Sequence, residues 1–206
     1  MADDPELGSS TPPDSRYHEH SFWQERYEGE DPAATFEWYH GYDGALRDLV
    51  LGEAAREAPT LLIGSGNSEM PERMIADGFR DVVATDYVSG VVDRMRARCA
   101  GLAGLRFEVQ DARELTYPDA SFGTVIDKGT LDAADMGRTN VPRICREAAR
   151  VLSRGGVFLV FSVQPPFSRI PYLKRPAYGW DVRTTAFSHP VSGMPLHAFV
   201  MRKAAG

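Results

Sequence analysis

The apolar positions along this chain follow two periods. Thr60–Ile63 is a short unbroken apolar run, the mark of a strand covered on both faces of a sheet, and Asp81–Thr85 repeats it. Leu105–Val109, Gly123–Asp127 and Val157–Ser162 complete a series of five predicted strands. Between them the apolar spacing becomes helical. Ala45–Glu57 carries Leu46, Leu49 and Val50 on one face, and Val141–Leu152 carries Ile144, Ala148, Val151 and Leu152. Two more helices are predicted from Ser68, which can cap its own helix, to about Asp77, and from Val88 to Ala100, where Gly101 can end the helix. Pro165–Pro176 reads as mostly irregular with room for a short helix. Trp180–Phe187 and Leu196–Arg202 face each other across the turn residues Pro190-Val191-Ser192-Gly193 as an antiparallel pair. The whole predicts an α/β fold: a doubly wound, mostly parallel seven-stranded sheet with an antiparallel C-terminal strand pair.

The glycine turn Gly64-Ser65-Gly66 follows the first strand, and Asp86 ends the second, 22 positions after Gly64. Open α/β sheets bind ligands at the carboxyl ends of their strands, and an acid at this spacing accepts hydrogen bonds from ribose hydroxyls. The third strand ends at Asp111, so Gly64, Gly66, Asp86 and Asp111 fall along one sheet edge. The glycines let backbone approach a ligand that a Cβ would push away. A dinucleotide site needs a third glycine where this chain has Glu69, whose charge would repel a pyrophosphate. No Gly-Lys-Ser/Thr follows the turn, which removes a nucleoside-triphosphate loop. A phosphate-free adenosine ligand remains, and S-adenosylmethionine, a sulfonium cation, is that ligand. Trp23, Tyr27 and Trp38 near the chain start could close over the cation, worth about 0.5–2 kcal/mol. Pinning that segment to the core is the alternative use of such aromatics.

These residues also carry a family likeness. Phe22-Trp23-Gln24-Glu25-Arg26-Tyr27, Ile63-Gly64-Ser65-Gly66-Asn67-Ser68, Thr85-Asp86-Tyr87-Val88-Ser89, Asp127-Lys128-Gly129-Thr130-Leu131-Asp132-Ala133 and Tyr178-Gly179-Trp180 resemble class I (seven-β-strand) S-adenosylmethionine-dependent methyltransferases. Within these the chain resembles the elongation-factor-1-alpha lysine methyltransferases related to the domain encoded next to endothelin-converting enzyme 2, from about Phe22 to Lys203. The resemblance implies a Rossmann-like methyltransferase fold, S-adenosylmethionine as cofactor with S-adenosylhomocysteine as product, and elongation factor 1-alpha as protein substrate. It implies cofactor contacts from Trp23, Tyr27 and Trp38, with Gly64 and Gly66 facing the methionine part. Asp86 would hold the ribose, Tyr87 would lie beside the adenine, Asp111 and Ala112 would meet the adenine edge, and Lys128 would line the same pocket.

Asp127 ends the central strand and could orient the incoming amine; an ion pair with Lys128 is its structural alternative. Two positions depart from the family: Ser65 replaces its usual Cys, and Asp127 its usual Glu. The segment between Asp132 and Arg146 also looks shorter than in the relatives, which bears on substrate identity.

Size and composition narrow the setting. With 206 residues and 43% hydrophobic content, the chain supports one domain with a sizeable core. Residues 1–15 read as a disordered acidic, Pro- and Ser-rich tail, and 16–206 as a single methyltransferase domain whose first part, about 16–58, is the aromatic lid. A net charge of −6 argues against nucleic acid as a partner. The loop after the fourth strand also lacks the Pro-Pro-aromatic run of base-amino methyltransferases, and Gln164-Pro165-Pro166-Phe167 follows the fifth strand instead. A small-molecule methyltransferase and a non-catalytic partner module stand as alternatives, the second disfavoured by the intact glycines and acids. Cys99 and Cys145 form no metal-spaced cluster, His18, His20, His40, His189 and His197 show no metal spacing, and no metal is expected. Reduced thiols, no signal-peptide pattern and no apolar run of membrane-spanning length predict a cytoplasmic protein without a membrane partner.

Overall fold

The computed structural model describes residues 16–135, 139–188 and 193–205. The predicted tail Met1–Ser15 and the turn residues Pro190-Val191-Ser192 lie outside the described residues. In chain order the structure runs α1 (His20–Gly29), α2 (Gly44–Glu53), β1 (Thr60–Ile63), α3 (Met70–Ala76), β2 (Val82–Asp86), α4 (Ser89–Arg98), β3 (Leu105–Val109) and β4 (Phe122–Lys128). It continues through α5 (Thr130–Asp135), α6 (Asn140–Val151), β5 (Leu152–Ser162), α7 (Pro166–Leu173), a 3₁₀ turn Pro176–Tyr178, β6 (Trp180–Ser188) and β7 (Pro195–Lys203). The seven strands form one sheet in the order β3-β2-β1-β4-β5-β7-β6. Strands β1 to β5 pair in parallel, and β7 lies antiparallel between β5 and β6. The predicted architecture is the observed one.

Two apolar clusters cover the two faces, and strand alternation assigns every residue to one of them. Leu62, Ala84, Ile126, Leu159 and Phe161 pack on one side with Leu46 and Val50 of α2, Met70 and Met74 of α3, and Val91, Val92 and Met95 of α4. Leu61, Ile63, Val125, Phe158 and Val160 pack on the other with Leu131 of α5, Ile144, Cys145 and Ala148 of α6, and Leu173 of α7. Cys99 and Cys145 are buried free thiols.

The differences from expectation have local causes. Helix α1 buries only Tyr27 among its charged residues, so it shows no apolar stripe. Helix α5 is a six-residue element, too short to display a period. Strand β5 starts at Leu152, five residues before the predicted Val157, because Leu152 pairs with Phe122 ahead of a register shift. Among the described residues, no helix is long and apolar enough to cross a membrane.

Candidate active site

The carboxyl ends of β1, β2 and β4 open into a cavity of about 310 Å³. Trp23, Tyr27, Trp38, Gly64, Gly66, Asp86, Tyr87, Asp111, Ala112 and Lys128 all line it. Asp127 does not. These positions come from the N-terminal segment and from the ends of four neighbouring strands, so only the fold brings them together.

Asp86 sits at the tip of β2 and is 5% exposed. Its Oδ2 accepts the Gly66 N–H at 3.1 Å and its Oδ1 accepts the Val88 N–H at 3.0 Å, which fixes the carboxylate across the glycine turn. Burial pushes its pKa up to about 6, against the pull of those backbone donors. Asp111 grips the Arg113 guanidinium through both oxygens, which holds its pKa below the usual value against the effect of burial. Tyr87 is docked to the N-terminal segment, with His20 edge-on to its ring at 4.8 Å and its hydroxyl donating to the Glu19 carbonyl at 3.3 Å.

The glycine turn is tight for a reason the sequence did not reveal. Gly64 has φ 60° and Gly66 φ 52°, both in the left-handed region. A Cβ on Gly64 would come within 2.1 Å of Thr130 Oγ1, and one on Gly66 within 2.6 Å of Tyr27 Oη. The glycines therefore admit the start of α5 and the aromatic segment as well as a ligand. That segment is a ring cluster: Trp23 lies 6.0 Å from Tyr27 and 5.9 Å from Trp38, and the Arg26 guanidinium sits 5.0 Å from both the Phe36 and Trp38 rings.

Glu37 fastens the segment down. It takes hydrogen bonds from the Ser68 hydroxyl at 2.8 Å and the Glu69 N–H at 2.7 Å, capping α3 from outside, while Ser68 Oγ accepts the Met70 N–H at 3.0 Å. Its other partner is the Lys128 ammonium, which also donates to the carbonyls of Trp38 at 3.2 Å and His40 at 3.1 Å. Burial lowers the Lys128 pKa and Glu37 raises it. Lys128 thus lines the cavity with its stem while its charge is spent on the segment. Replacing Glu37 with Gln should cost about 3 kcal/mol in urea unfolding, by stranding the buried Lys128 charge. Lys128→Met should cost less, because Glu37 is partly exposed and keeps its Ser68 and Glu69 donors, and the double variant should recover part of the Glu37→Gln loss.

The strand period separates Asp127 from Lys128. Asp127 shares the α5–α6 side of β4 with Val125 and Lys128 the other side with Ile126, and Lys128 pairs with Glu37, so the two do not pair. Asp127 is fully buried, its Oδ2 accepts the Leu131 N–H at 3.0 Å, and burial and Asp132 push its pKa well up.

The acid brought to the β4–β5 end of the cavity is Asp132. Its Oδ1 accepts from Ser162 Oγ and from Arg169 Nη2 at 2.7 Å, and its Oδ2 from Tyr39 Oη at 2.9 Å and the Val163 N–H at 3.0 Å. Asp132 stands inside the run Asp127–Ala133, and no local pattern marks it as the meeting point of α5, β5, α7 and the N-terminal segment. Tyr39, Thr130, Asn140 and Gln164 also line the cavity and escaped sequence reading. Tyr39 has φ 66°, a strained backbone for a non-glycine residue that costs on the order of 1–2 kcal/mol.

A carboxylate bridging a glycine turn at adjacent parallel strand ends defines a nucleoside-binding α/β protein, and the sheet order with its inserted antiparallel strand is that of the methyltransferase class. Residues 61–160 match the family model described as methyltransferase domain. EEF1A lysine methyltransferase 4 of Bos taurus is 33% identical over 198 residues, covering 91% of this chain and 76% of that protein. The eEF1A lysine and N-terminal methyltransferase of Mus musculus is 30% identical over 88% of this chain and 28% of its own length. The structure of Haemonchus contortus phosphoethanolamine N-methyltransferase 1 with phosphoethanolamine and S-adenosylhomocysteine superposes with a TM-score of 0.67 at 16% identity, over 90% of this chain and 48% of that one. The chain belongs to the S-adenosylmethionine-dependent methyltransferases, in the family of EEF1A lysine methyltransferase 4. It is an enzyme of that class and S-adenosylmethionine is its cofactor.

The cavity suits that cofactor: the buried Asp86 carboxylate keeps lone pairs for two hydroxyls, and nothing in the glycine turn calls for phosphate. Ribose hydroxyls favour the ionised carboxylate, so binding displaces a proton wherever Asp86 is protonated. Affinity is expected to be full above pH 7 and to fall as pH drops through about 6. Calorimetry with S-adenosylhomocysteine across this range, in buffers of different ionisation enthalpy, measures both the fall and the released proton.

Proposed function

We propose that this protein methylates a lysine side chain of elongation factor 1-alpha in the cytoplasm. The observation that carries the proposal is the single cavity on which Trp23, Tyr27, Trp38, Gly64, Gly66, Asp86, Tyr87, Asp111, Ala112 and Lys128 converge. The relatives named for this activity support the substrate, and the buried reduced thiols agree with the compartment. The domain runs from 16 to 206, with the segment of about 16–58 as its aromatic lid.

In this reading Asp86 holds the ribose, with Tyr87, Asp111 and Ala112 around the adenine. Gly64 and Gly66 make room for the methionine part, and the rings of Trp23, Tyr27 and Trp38 face the positive sulfur. Bound there, S-adenosylmethionine supplies an electrophilic methyl group on a cationic sulfur. The amine must approach in line from the far side, toward β4 and β5, at about 3 Å. Neither nearby carboxylate serves as a base. Asp132 is saturated by its donors, and Asp127 is fully buried at the start of α5, where burial and Asp132 push its pKa up. The amine therefore sheds its proton to water, helped by desolvation and the adjacent positive charge. Asp127 acts through the start of α5 rather than by touching substrate.

Incubation of elongation factor 1-alpha with the enzyme and isotopically labelled cofactor, followed by peptide mass spectrometry, tests the proposal. A methylated lysine is the expected result. Label found only in small molecules would replace the proposal with a small-molecule methyltransferase, and no transfer despite cofactor binding would sink it.

A further inference from the structure

We propose that Tyr39 is the aromatic wall against which the acceptor amine is held, a specificity residue whose place is set by Lys128 and Asp132. The proposal rests on the amine-acceptor reading above and adds the surface that recognises the cation.

The sheet order lays the cavity out in a line. Asp111 and Asp86 stand at the ends of β3 and β2, the nucleoside end, and Gly64 follows at β1. Beyond the glycine turn lie Gly129 after β4 and Val163 after β5, where the acceptor must enter. The Tyr39 ring lies at this far end, so close to Gly129 that a Cβ there would stand 3.1 Å from it.

Its backbone shows how it is kept there. The His40 N–H donates to the Trp38 carbonyl at 2.8 Å across Tyr39, whose φ is 66°. That is the rarer, strained form of γ-turn. Such a turn persists only where its surroundings over-determine it, and it marks functional positions. Here Lys128 Nζ holds the carbonyls on both sides of Tyr39, at 3.2 and 3.1 Å. The ring's other end is fixed by its hydroxyl, donated to Asp132 at 2.9 Å.

What this leaves for the substrate is a ring. The hydroxyl is committed, and the Asp132 oxygens already take Ser162, Arg169 and Val163. An alkylammonium arriving at the β4–β5 end meets the Tyr39 ring, with Asp135, paired to Arg169 at 3.4 Å, the further carboxylate on the lining. Aromatic rings attract ammonium and methylated ammonium groups alike, because the attraction is to the ring quadrupole and needs no N–H. Burial and Asp132 keep the phenol neutral.

The test uses the full chain loaded with S-adenosylhomocysteine and two probes, n-butylammonium (a lysine side chain without its backbone) and n-butanol, its neutral counterpart. Binding is followed by nuclear magnetic resonance titration. Tyr39→Phe should bind n-butylammonium within about twofold of wild type. Tyr39→Leu should weaken it about fivefold or more and leave n-butanol unchanged. Equal n-butylammonium affinity in Tyr39→Leu and wild type overturns the proposal, as does an equal loss for both probes. Phenylalanine and pentafluorophenylalanine at position 39 provide an isosteric second comparison that keeps the packing. Fluorination should weaken n-butylammonium binding, and no difference between the two overturns the proposal. Elongation factor methylation is not read here. A protein inactive on that substrate but retaining the Tyr39-dependent ammonium preference loses the earlier proposal and keeps this one.

Discussion

Asp86→Asn is expected to lower affinity for S-adenosylmethionine and S-adenosylhomocysteine by roughly a hundredfold at pH 7.5, about 3 kcal/mol, measured by calorimetry. The amide keeps the shape but cannot accept charge-assisted hydrogen bonds from two hydroxyls. The same substitution should change the melting temperature of the unliganded protein little, because relief of the buried charge offsets the one backbone N–H, of Gly66 or Val88, that a single amide oxygen leaves without its acceptor. The relief follows from the sign of the pKa shift. Burial raises the folded-state value to about 6, so the ionised carboxylate disfavours the fold above that pH, and its removal relieves the cost. A variant that lost both affinity and unliganded stability would mean that Asp86 holds the glycine turn together more than it holds a ligand.

Asp132→Ala is expected to cost about 3–5 kcal/mol of folding stability in urea titration. Arg169 is fully buried and its guanidinium reaches Asp132 at 2.7 Å and Asp135 at 3.4 Å. Without Asp132 that charge keeps only the longer, more exposed partner. The ends of β5 and the Tyr39 hydroxyl lose their acceptor at the same time. Because the loss is of an uncompensated charge, Asp132→Ala combined with Arg169→Met should be more stable than Asp132→Ala alone. A full 3–5 kcal/mol loss that the second substitution left untouched would place the cost in the Ser162, Val163 and Tyr39 hydrogen bonds instead.

The two sets of carboxylates show what a strand period hides. Asp86 and Asp111 were legible because Asp86 closes an apolar run and Asp111 follows the third strand, and strand ends in a parallel sheet converge on one edge. Asp127 obeys the same local rule yet does not line the cavity, being fully buried under the start of α5 at the Leu131 N–H. The alternation was visible in Val125, Ile126, Asp127 and Lys128. Which of them would reach the cavity was not, since it draws Leu62 and Ile126 from one side of the sheet and Ile63 and Ile144 from the other. Trp38 stood out as an aromatic, but its neighbour Tyr39 gave no signal. Its importance comes from a backbone conformation and from partners in β4 and α5, at Lys128 and Asp132, that have no sequence spacing to read.

The sequence by itself determined the alternation of strands and helices, the glycine turn, the acids at two strand tips and the phosphate-free nucleoside that suits them. Those follow from local rules: hydrophobic period, turn chemistry and the bonding capacity of a terminal carboxylate. Only the tertiary structure decided how the N-terminal segment is fastened beside the cavity, through Glu37 on α3 and Lys128 on two carbonyls, and that Asp132 ties Tyr39, Ser162, Val163 and Arg169 together. Hydrogen bonds between groups ninety residues apart depend on where packing sets whole elements, and no local pattern encodes that distance.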